Sequence, residues 1–166
     1  MMLRRAFVTG SVLVLLAVTG MATAGAEPTR FATGGAKATV LGNVQIDPDN
    51  PAIAYVSARY VCPPGDTHLW VSVKQVADGR PDPALKLEGS SAIADAWLQR
   101  HPGPDEFTCD GTWHVGTWSI DAGLTEFGFG ELEPGQVYVQ FCLTGPETTP
   151  GEPAWLGISQ RFATAA

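Results

Sequence analysis

The sequence predicts an all-β protein, an antiparallel β-sandwich of about seven strands. From residue 38 onward, apolar and polar residues alternate with a period of two in one short segment after another, which is typical of strands that bury one face. Clusters of Pro, Gly, Asp and Asn separate these segments, at the spacing found in antiparallel sandwiches and barrels. The chain contains 19 Gly and 13 Pro, enough to supply a turn at every connection.

Residues 1–26 have the three zones of a cleavable secretory signal. A basic start holds Arg4 and Arg5, an apolar run covers residues 6–18, and Ala24-Gly25-Ala26 fits the small-residue site that signal peptidase accepts. The apolar run is shorter than the roughly 20 residues that span a bilayer. We therefore expect cleavage after Ala26, with Ala24 as the alternative, and no stable membrane insertion afterwards. The expected location is secreted or extracellular, with retention at the cell wall as an alternative.

Two export routes are compatible with this leader. Residues 4–8 (Arg-Arg-Ala-Phe-Val) resemble the twin-arginine motif, which exports folded proteins, but Leu3 stands where that motif has Ser or Thr. Adjacent arginines also occur in ordinary basic leaders, so the sequence does not choose between the routes.

The charge of the exported chain argues against two classes of partner. The sequence has 10 basic and 17 acidic residues, and the leader removes Arg4 and Arg5 but no acid, which leaves a net charge of −9. Nucleic acids and anionic membrane surfaces bind basic patches. We therefore expect neither as a partner.

The rest of the chain divides into a short lead-in and one domain. Residues 27–37 are polar and contain glycine, and they predict a flexible lead-in. Residues 38–164 predict a single sandwich domain, long enough for a core of its own. Its clearest strand-length segments are 39–46, 52–62, 69–76, 113–120, 136–143 and 155–162.

Alternation assigns a face to the side chains of these strands. In the second strand, Ala54, Tyr60 and Cys62 share the inward face. The Pro-Pro-Gly-Asp turn at 63–66 leads into the third strand, and a Pro-Gly pair at 134–135 precedes the sixth. The predicted inward residues of the third, sixth and last strands are Leu69, Val71, Val73, Val137, Val139, Phe141, Leu143, Leu156, Ile158 and Phe162.

The middle of the chain leaves two alternatives open. Ser91 is suited to cap one short helix at 91–100, or the segment is the fourth strand, and its alanine content favours the helix. Trp113 and Trp118 are five positions apart, so they are expected on opposite faces of an irregular strand that contains Gly116. At least one of the two indoles belongs to the core.

Three cysteines stand in a chain expected to reach an oxidising compartment, where cysteines pair. In an immunoglobulin-like strand order, Cys62 ends the second strand and Cys109 precedes the fifth, its neighbour in the same sheet. Cys62 has the inward parity of its strand, whereas Cys142 shares the outward parity of Tyr138. We therefore expect a disulfide between Cys62 and Cys109, with Cys142 free or paired with another molecule.

We expect no cofactor, no metal and no catalytic residue. His68 and His114 lie near Cys62 and Cys109 in the sequence, but the spacing is not that of a zinc knuckle and a disulfide removes both thiols. A blue-copper site commonly uses an axial Met, and all three methionines leave with the leader. The sequence also lacks the G-x-S-x-G elbow and the H-E-x-x-H zinc motif.

Outward aromatic residues predict a binding face. Trp70, Tyr138 and Trp155 all have outward parity, and the third, sixth and seventh strands are adjacent in an immunoglobulin-like order. Trp70 and Trp155 would then flank the end of the sixth strand, near Gln140 and Cys142. Flat aromatic rings stack on sugars and anchor protein interfaces. The alternative is that the lead-in or a loop covers these rings.

Four groups of residues resemble one family. They are Tyr60-Val61-Cys62, the 71–75 strand (Val-Ser-Val-Lys-Gln), Cys109-Asp110-Gly111 before a Trp/Val strand, and Pro134-Gly135-Gln136 before a Val-rich strand. Over residues 38–162 the chain resembles small secreted actinobacterial proteins with an immunoglobulin-like domain and no assigned function. The resemblance implies the Cys62–Cys109 disulfide. Cys142 departs from the pattern of the family, and the resemblance implies no activity.

The sequence thus predicts an immunoglobulin-like, secreted, non-catalytic protein that binds a cell-wall glycan or a protein through the face bearing Trp70 and Trp155. One alternative is a structural or interaction protein that dimerises through Cys142, so the expected oligomeric state is a monomer or a disulfide-linked dimer. A hydrolase with an unrecognised site is the other alternative.

Overall fold

The computed structural model of the chain describes residues 35–87, 90–123, 127–149 and 152–166. The export signal predicted for residues 1–26 and most of the predicted lead-in lie outside these ranges. The described residues form seven strands and two 3-10 turns, at Pro83–Lys86 and Ser90–Ala92. The strands are β1 (Lys37–Ile46), β2 (Ile53–Val61), β3 (His68–Gln75), β4 (Ala96–Arg100), β5 (His114–Asp121), β6 (Gly135–Thr149) and β7 (Glu152–Ala165).

The strands close into a barrel in the order β1-β2-β5-β4-β3-β6-β7. The prediction of an all-β fold of about seven strands is confirmed, but the strands close into a barrel and do not form two separate sheets with open edges. One sheet edge closes because β7 lies parallel to β1, where the Ala166 N–H donates to the Val44 carbonyl at 3.0 Å. The other edge closes because β4 pairs with β3 over five residues and also with β5, at Gln99 and Asp121. The alternation of apolar and polar residues within each strand predicts neither of these two strand pairings.

The predicted helix at 91–100 is wrong over most of its length. A 3-10 turn ends at Ala92, and β4 begins at Ala96. Trp97 pairs with Lys74 and Leu98 with Val73 of β3. Hydrogen bonds to β3 satisfy the backbone N–H and C=O groups of β4. This tertiary pairing overrides the weak helix preference of alanine.

The inward faces of β3 and β6 were predicted correctly. Leu69, Val71 and Val73 of β3 are buried, as are the four predicted residues of β6. Trp118 is the core indole, 4% exposed, and its ring centroid lies 5.2 Å from that of Phe141. The ring of Trp118 also covers Gly116 so closely that a Cβ on this glycine would lie 2.5 Å from it.

The faces of β7 were predicted only in part. Leu156 packs against the core as expected, but the β6–β7 pairing shifts register beside it. A bulge places one extra residue in a strand and so reverses the alternation beyond it. Ile158 and Phe162 therefore lie on the outer face, opposite Cys142 and Tyr138. The buried positions near the end of β7 are taken by Ala163 and Ala165.

Within the described residues, no helix has the length and apolar character needed to cross a membrane.

Candidate functional site

The residues predicted to form a binding face lie on the outside of β3, β6 and β7. Trp70 of β3 is opposite Cys142 of β6. Trp155 of β7 is opposite Thr144, two residues further along β6. The two indoles therefore lie on the strands either side of β6 and near the same end, while Tyr138 lies toward the other end.

Tyr138 does not contribute to an exposed surface. Its side chain is 2% exposed, its hydroxyl donates to Gln160 Oε1 at 3.1 Å, and its ring centroid lies 5.4 Å from that of Phe162. Burial also raises the pKa of the Tyr138 hydroxyl. Gln140 is half-buried and accepts a hydrogen bond from Ser72 at 3.3 Å. The Tyr138 end of the predicted face is therefore covered, and Gln140 beside it is only half-buried.

The two predicted indoles are half-buried rather than fully exposed. Trp70 donates its ring N–H to Gln99 Oε1 at 3.1 Å. Its ring stacks on His101, with centroids 6.4 Å apart and planes 19° apart. Burial, and then the nearby His68, lower the pKa of His101. Trp70 already has a hydrogen-bond partner and a stacking partner within the chain.

The disulfide between Cys62 and Cys109 is confirmed, with an S–S distance of 2.03 Å. Cys142 is the remaining thiol and is fully buried. Burial raises the pKa of Cys142 to about 12, although the nearby Lys74 acts in the opposite direction. A buried, protonated thiol cannot reach a second molecule, which argues against dimerisation through Cys142.

The pair of Lys74 and Ser90 comes closest to a nucleophile with its base. Lys74 Nζ donates to Ser90 Oγ at 2.7 Å, and Ser90 Oγ donates to the Leu85 carbonyl at 2.9 Å. Burial lowers the pKa of Lys74. A nucleophilic serine must give its proton to the base, whereas here the lysine is the donor and the hydroxyl proton points to Leu85. The pair therefore fastens the two 3-10 turns to the outer face of β3.

His68 and His114, the two histidines near the cysteines in the sequence, each lie beside a carboxylate. His114 Nε2 lies 2.8 Å from Asp110 Oδ1, and Thr112 donates to the same oxygen from both its N–H and its hydroxyl. These contacts, led by that of His114, lower the pKa of Asp110 to about 2. His68 lies 3.5 Å from Asp66. Across the described ranges, no cluster of three or more His, Cys, Asp or Glu residues is arranged to hold a metal.

An exposed face that the sequence did not single out lies on the outside of β2 and β5. Trp113, immediately before β5, is 46% exposed, and Val115 is 68% exposed. The Arg59 guanidinium carbon lies 4.3 Å from the centroid of the Trp113 ring. On the next row, the hydroxyls of Ser57 and Thr117 are 2.7 Å apart. Trp113, Val115 and Thr117 alternate along the strand and have the parity opposite to that of the buried Trp118. This alternation was the signal in the sequence that could have indicated the exposed face.

Comparisons with known proteins give little guidance. No protein-family model and no curated protein matches the chain. One solved structure that it resembles is the CooA pilin subunit from enterotoxigenic Escherichia coli, at 11% sequence identity. The similarity covers 78% of this chain and 98% of the pilin chain, with a TM-score of 0.26. A score this low supports no conclusion about fold or function.

Proposed function

We propose that this chain is an exported, non-catalytic binding protein that acts outside the cytoplasm and binds a glycan through the outer face of β2 and β5. The observation that carries the proposal is the exposed Trp113 ring held in place by Arg59. A guanidinium over an indole is attractive and restrains the ring before binding. An indole ring restrained in this way is suited to stack on a sugar ring.

The neighbours of Trp113 suit a sugar as well. Val115 offers exposed apolar surface to the C–H groups of a sugar ring. Ser57 and Thr117 offer hydroxyls on the adjacent row of the same face. Hydroxyls of this type donate and accept hydrogen bonds, which matches the chemistry of a polyol. A disulfide-bonded chain is compatible with an oxidising, extracellular location.

We also propose that the barrel is an immunoglobulin-like sandwich whose two sheet edges have closed, related to the small secreted actinobacterial proteins it resembles. The strand order supports this, because β2 lies beside β5 and because β3, β6 and β7 are consecutive neighbours. These are the adjacencies expected of an immunoglobulin-like path.

The test is retention of the exported protein on insoluble polysaccharides and cell-wall preparations. We expect wild type to be retained and Trp113→Ala to be lost, with its far-ultraviolet circular dichroism unchanged. The control is the Trp70→Ala/Trp155→Ala double variant, which should still be retained. Loss in the control alone would place binding on the outer face of β3, β6 and β7. No retention of wild type on any preparation would refute the glycan proposal.

A further inference from the structure

One edge of β5 has no backbone partner over part of its length. On one side, β5 pairs with β2 along its whole length, from His114 to Asp121. On the other side, β4 reaches it only at Asp121, and Arg100 donates to the Ser119 carbonyl at 3.3 Å. In the described part of the chain, no backbone hydrogen bond uses this second edge between residues 115 and 118. The contact between β1 and β7 is also short, a single parallel pair at Val44 and Ala165.

The direction of the Ser119 carbonyl shows which groups face this edge. Backbone N–H and C=O groups of successive residues point to opposite sides of a strand. Since the Ser119 carbonyl points toward Arg100, away from β2, the groups of Val115 and Thr117 also point away from β2. Gly116, between them, points its own groups toward β2, where it pairs with Ala58. The edge therefore presents two donors and two acceptors.

Residues 113–120 themselves carry none of the charges or prolines that usually protect an edge from pairing, and the Arg100 guanidinium lies only at its Ser119 end. Natural edge strands carry Lys, Pro, inward charges or a covering loop, because an exposed edge recruits other strands. Residues 113–120 contain no Lys, Arg, Asp, Glu or Pro. Val115 is 68% exposed and Trp113 is 46% exposed beside this edge. An apolar, uncharged and unpaired edge is suited to accept a strand.

We propose that a second copy of this chain adds to the edge, β5 against β5, antiparallel about a two-fold axis at Gly116. In that register Val115 is opposite Thr117 of the second copy, and Thr117 is opposite Val115 of the second copy. Residues directly opposite in this type of pair exchange both hydrogen bonds, so four bonds satisfy the N–H and C=O groups of Val115 and Thr117 in both copies. The edge is therefore self-complementary, which is the property that a two-fold interface requires.

This pairing has a consequence for the outer face. Trp113 lies opposite Ser119 of the second copy, so the two Trp113 residues are six residue steps apart along the paired strands. At about 3.4 Å per residue, they are about 20 Å apart on one continuous sheet surface. Two platforms on one surface bind a repeating polymer more tightly than one platform does. The dimer itself does not rest on the glycan proposal, since it depends only on the edge of β5.

The first measurement is sedimentation equilibrium of the exported protein from roughly 1 μM to 1 mM, the range in which weak association falls. We expect wild type to dimerise. The variants Val115→Lys/Thr117→Lys and Val115→Glu/Thr117→Glu each place like charges opposite one another and should weaken the dimer at least about tenfold. Mixing the two variants places opposite charges together and should restore association. Thr39→Lys places the same charge on β1, at an exposed position that pairs with Arg59 of β2; it is the control and should dimerise like wild type.

Hydrogen exchange then locates the contact. The amides of Val115 and Thr117 should exchange more slowly as protein concentration rises, while the Gly116 amide, bonded to β2, should not change. A wild-type monomer at 1 mM, failure of the mixed variants to associate, or a dimer without protection at Val115 and Thr117 would each overturn the proposal. Glycan retention by a monomeric wild type would overturn the dimer and leave the proposed function standing.

Discussion

The Cys62–Cys109 disulfide should contribute about 4 kcal/mol to the free energy of unfolding. The bond joins residues 47 positions apart, and in the chain-entropy model closing a loop of that size costs the unfolded state about 4 kcal/mol at 25 °C. The folded state depends less on the bond, because the Gly111 N–H donates to the Cys62 carbonyl at 2.9 Å and the Thr108 N–H donates to the Tyr60 hydroxyl at 3.0 Å. The loss should therefore arise mainly in the unfolded chain.

The assay is equilibrium unfolding in urea, monitored by tryptophan fluorescence, of wild type and the Cys62→Ala/Cys109→Ala variant. We expect a lower midpoint and a steeper dependence of unfolding free energy on urea, because the unfolded chain without the bond exposes more surface. Under reducing conditions, wild type should have the same free energy of unfolding as the Cys62→Ala/Cys109→Ala variant. Cys142→Ala is the control, and reduction should lower its free energy of unfolding no more than it lowers that of wild type. A difference below about 1 kcal/mol would show that the unfolded chain is not constrained by the bond, which would refute the reasoning.

Three further predictions concern single residues. Cys142 should resist iodoacetamide in the folded protein, because it is buried and its pKa is about 12, and it should react in denaturant; a mass shift under native conditions would contradict its burial. The pKa of Asp110, lowered to about 2, means that its carboxylate stabilises the fold above the unfolded pKa of about 3.9 and loses that effect as pH falls through about 2. The melting temperature of Asp110→Asn should therefore fall less than that of wild type between these pH values, and parallel profiles would count against the His114 contact. Gly116→Ala should cost about 1–3 kcal/mol by thermal unfolding, because its Cβ would lie 2.5 Å from the Trp118 ring; Thr117→Ala is the control, and equal stability of the two variants would show that the ring moves freely.

The sequence was sufficient wherever the signal was local. Alternation located the strands that became β1, β2, β3, β5, β6 and β7, because a strand with one buried face repeats every two residues. It also gave the inward residues of β3 and β6. The opposite parities of Cys62 and Cys142, together with the immunoglobulin-like strand order, indicated Cys109 as the partner of Cys62, and the disulfide is confirmed. Each of these conclusions needs only the residues of one or two segments.

The tertiary structure decided which outward faces are covered and how the sheets meet. Parity places Tyr138 on an outer face and sets Trp113 and Trp118 on opposite faces. In the structure Phe162 and Gln160 cover Tyr138, whereas Trp113 stays exposed beside Arg59. Coverage depends on segments distant in sequence, and a bulge such as the one beside Leu156 leaves no trace in composition. Barrel closure likewise depends on pairings between strands at opposite ends of the chain, which strand twist and register determine only when all seven strands are assembled.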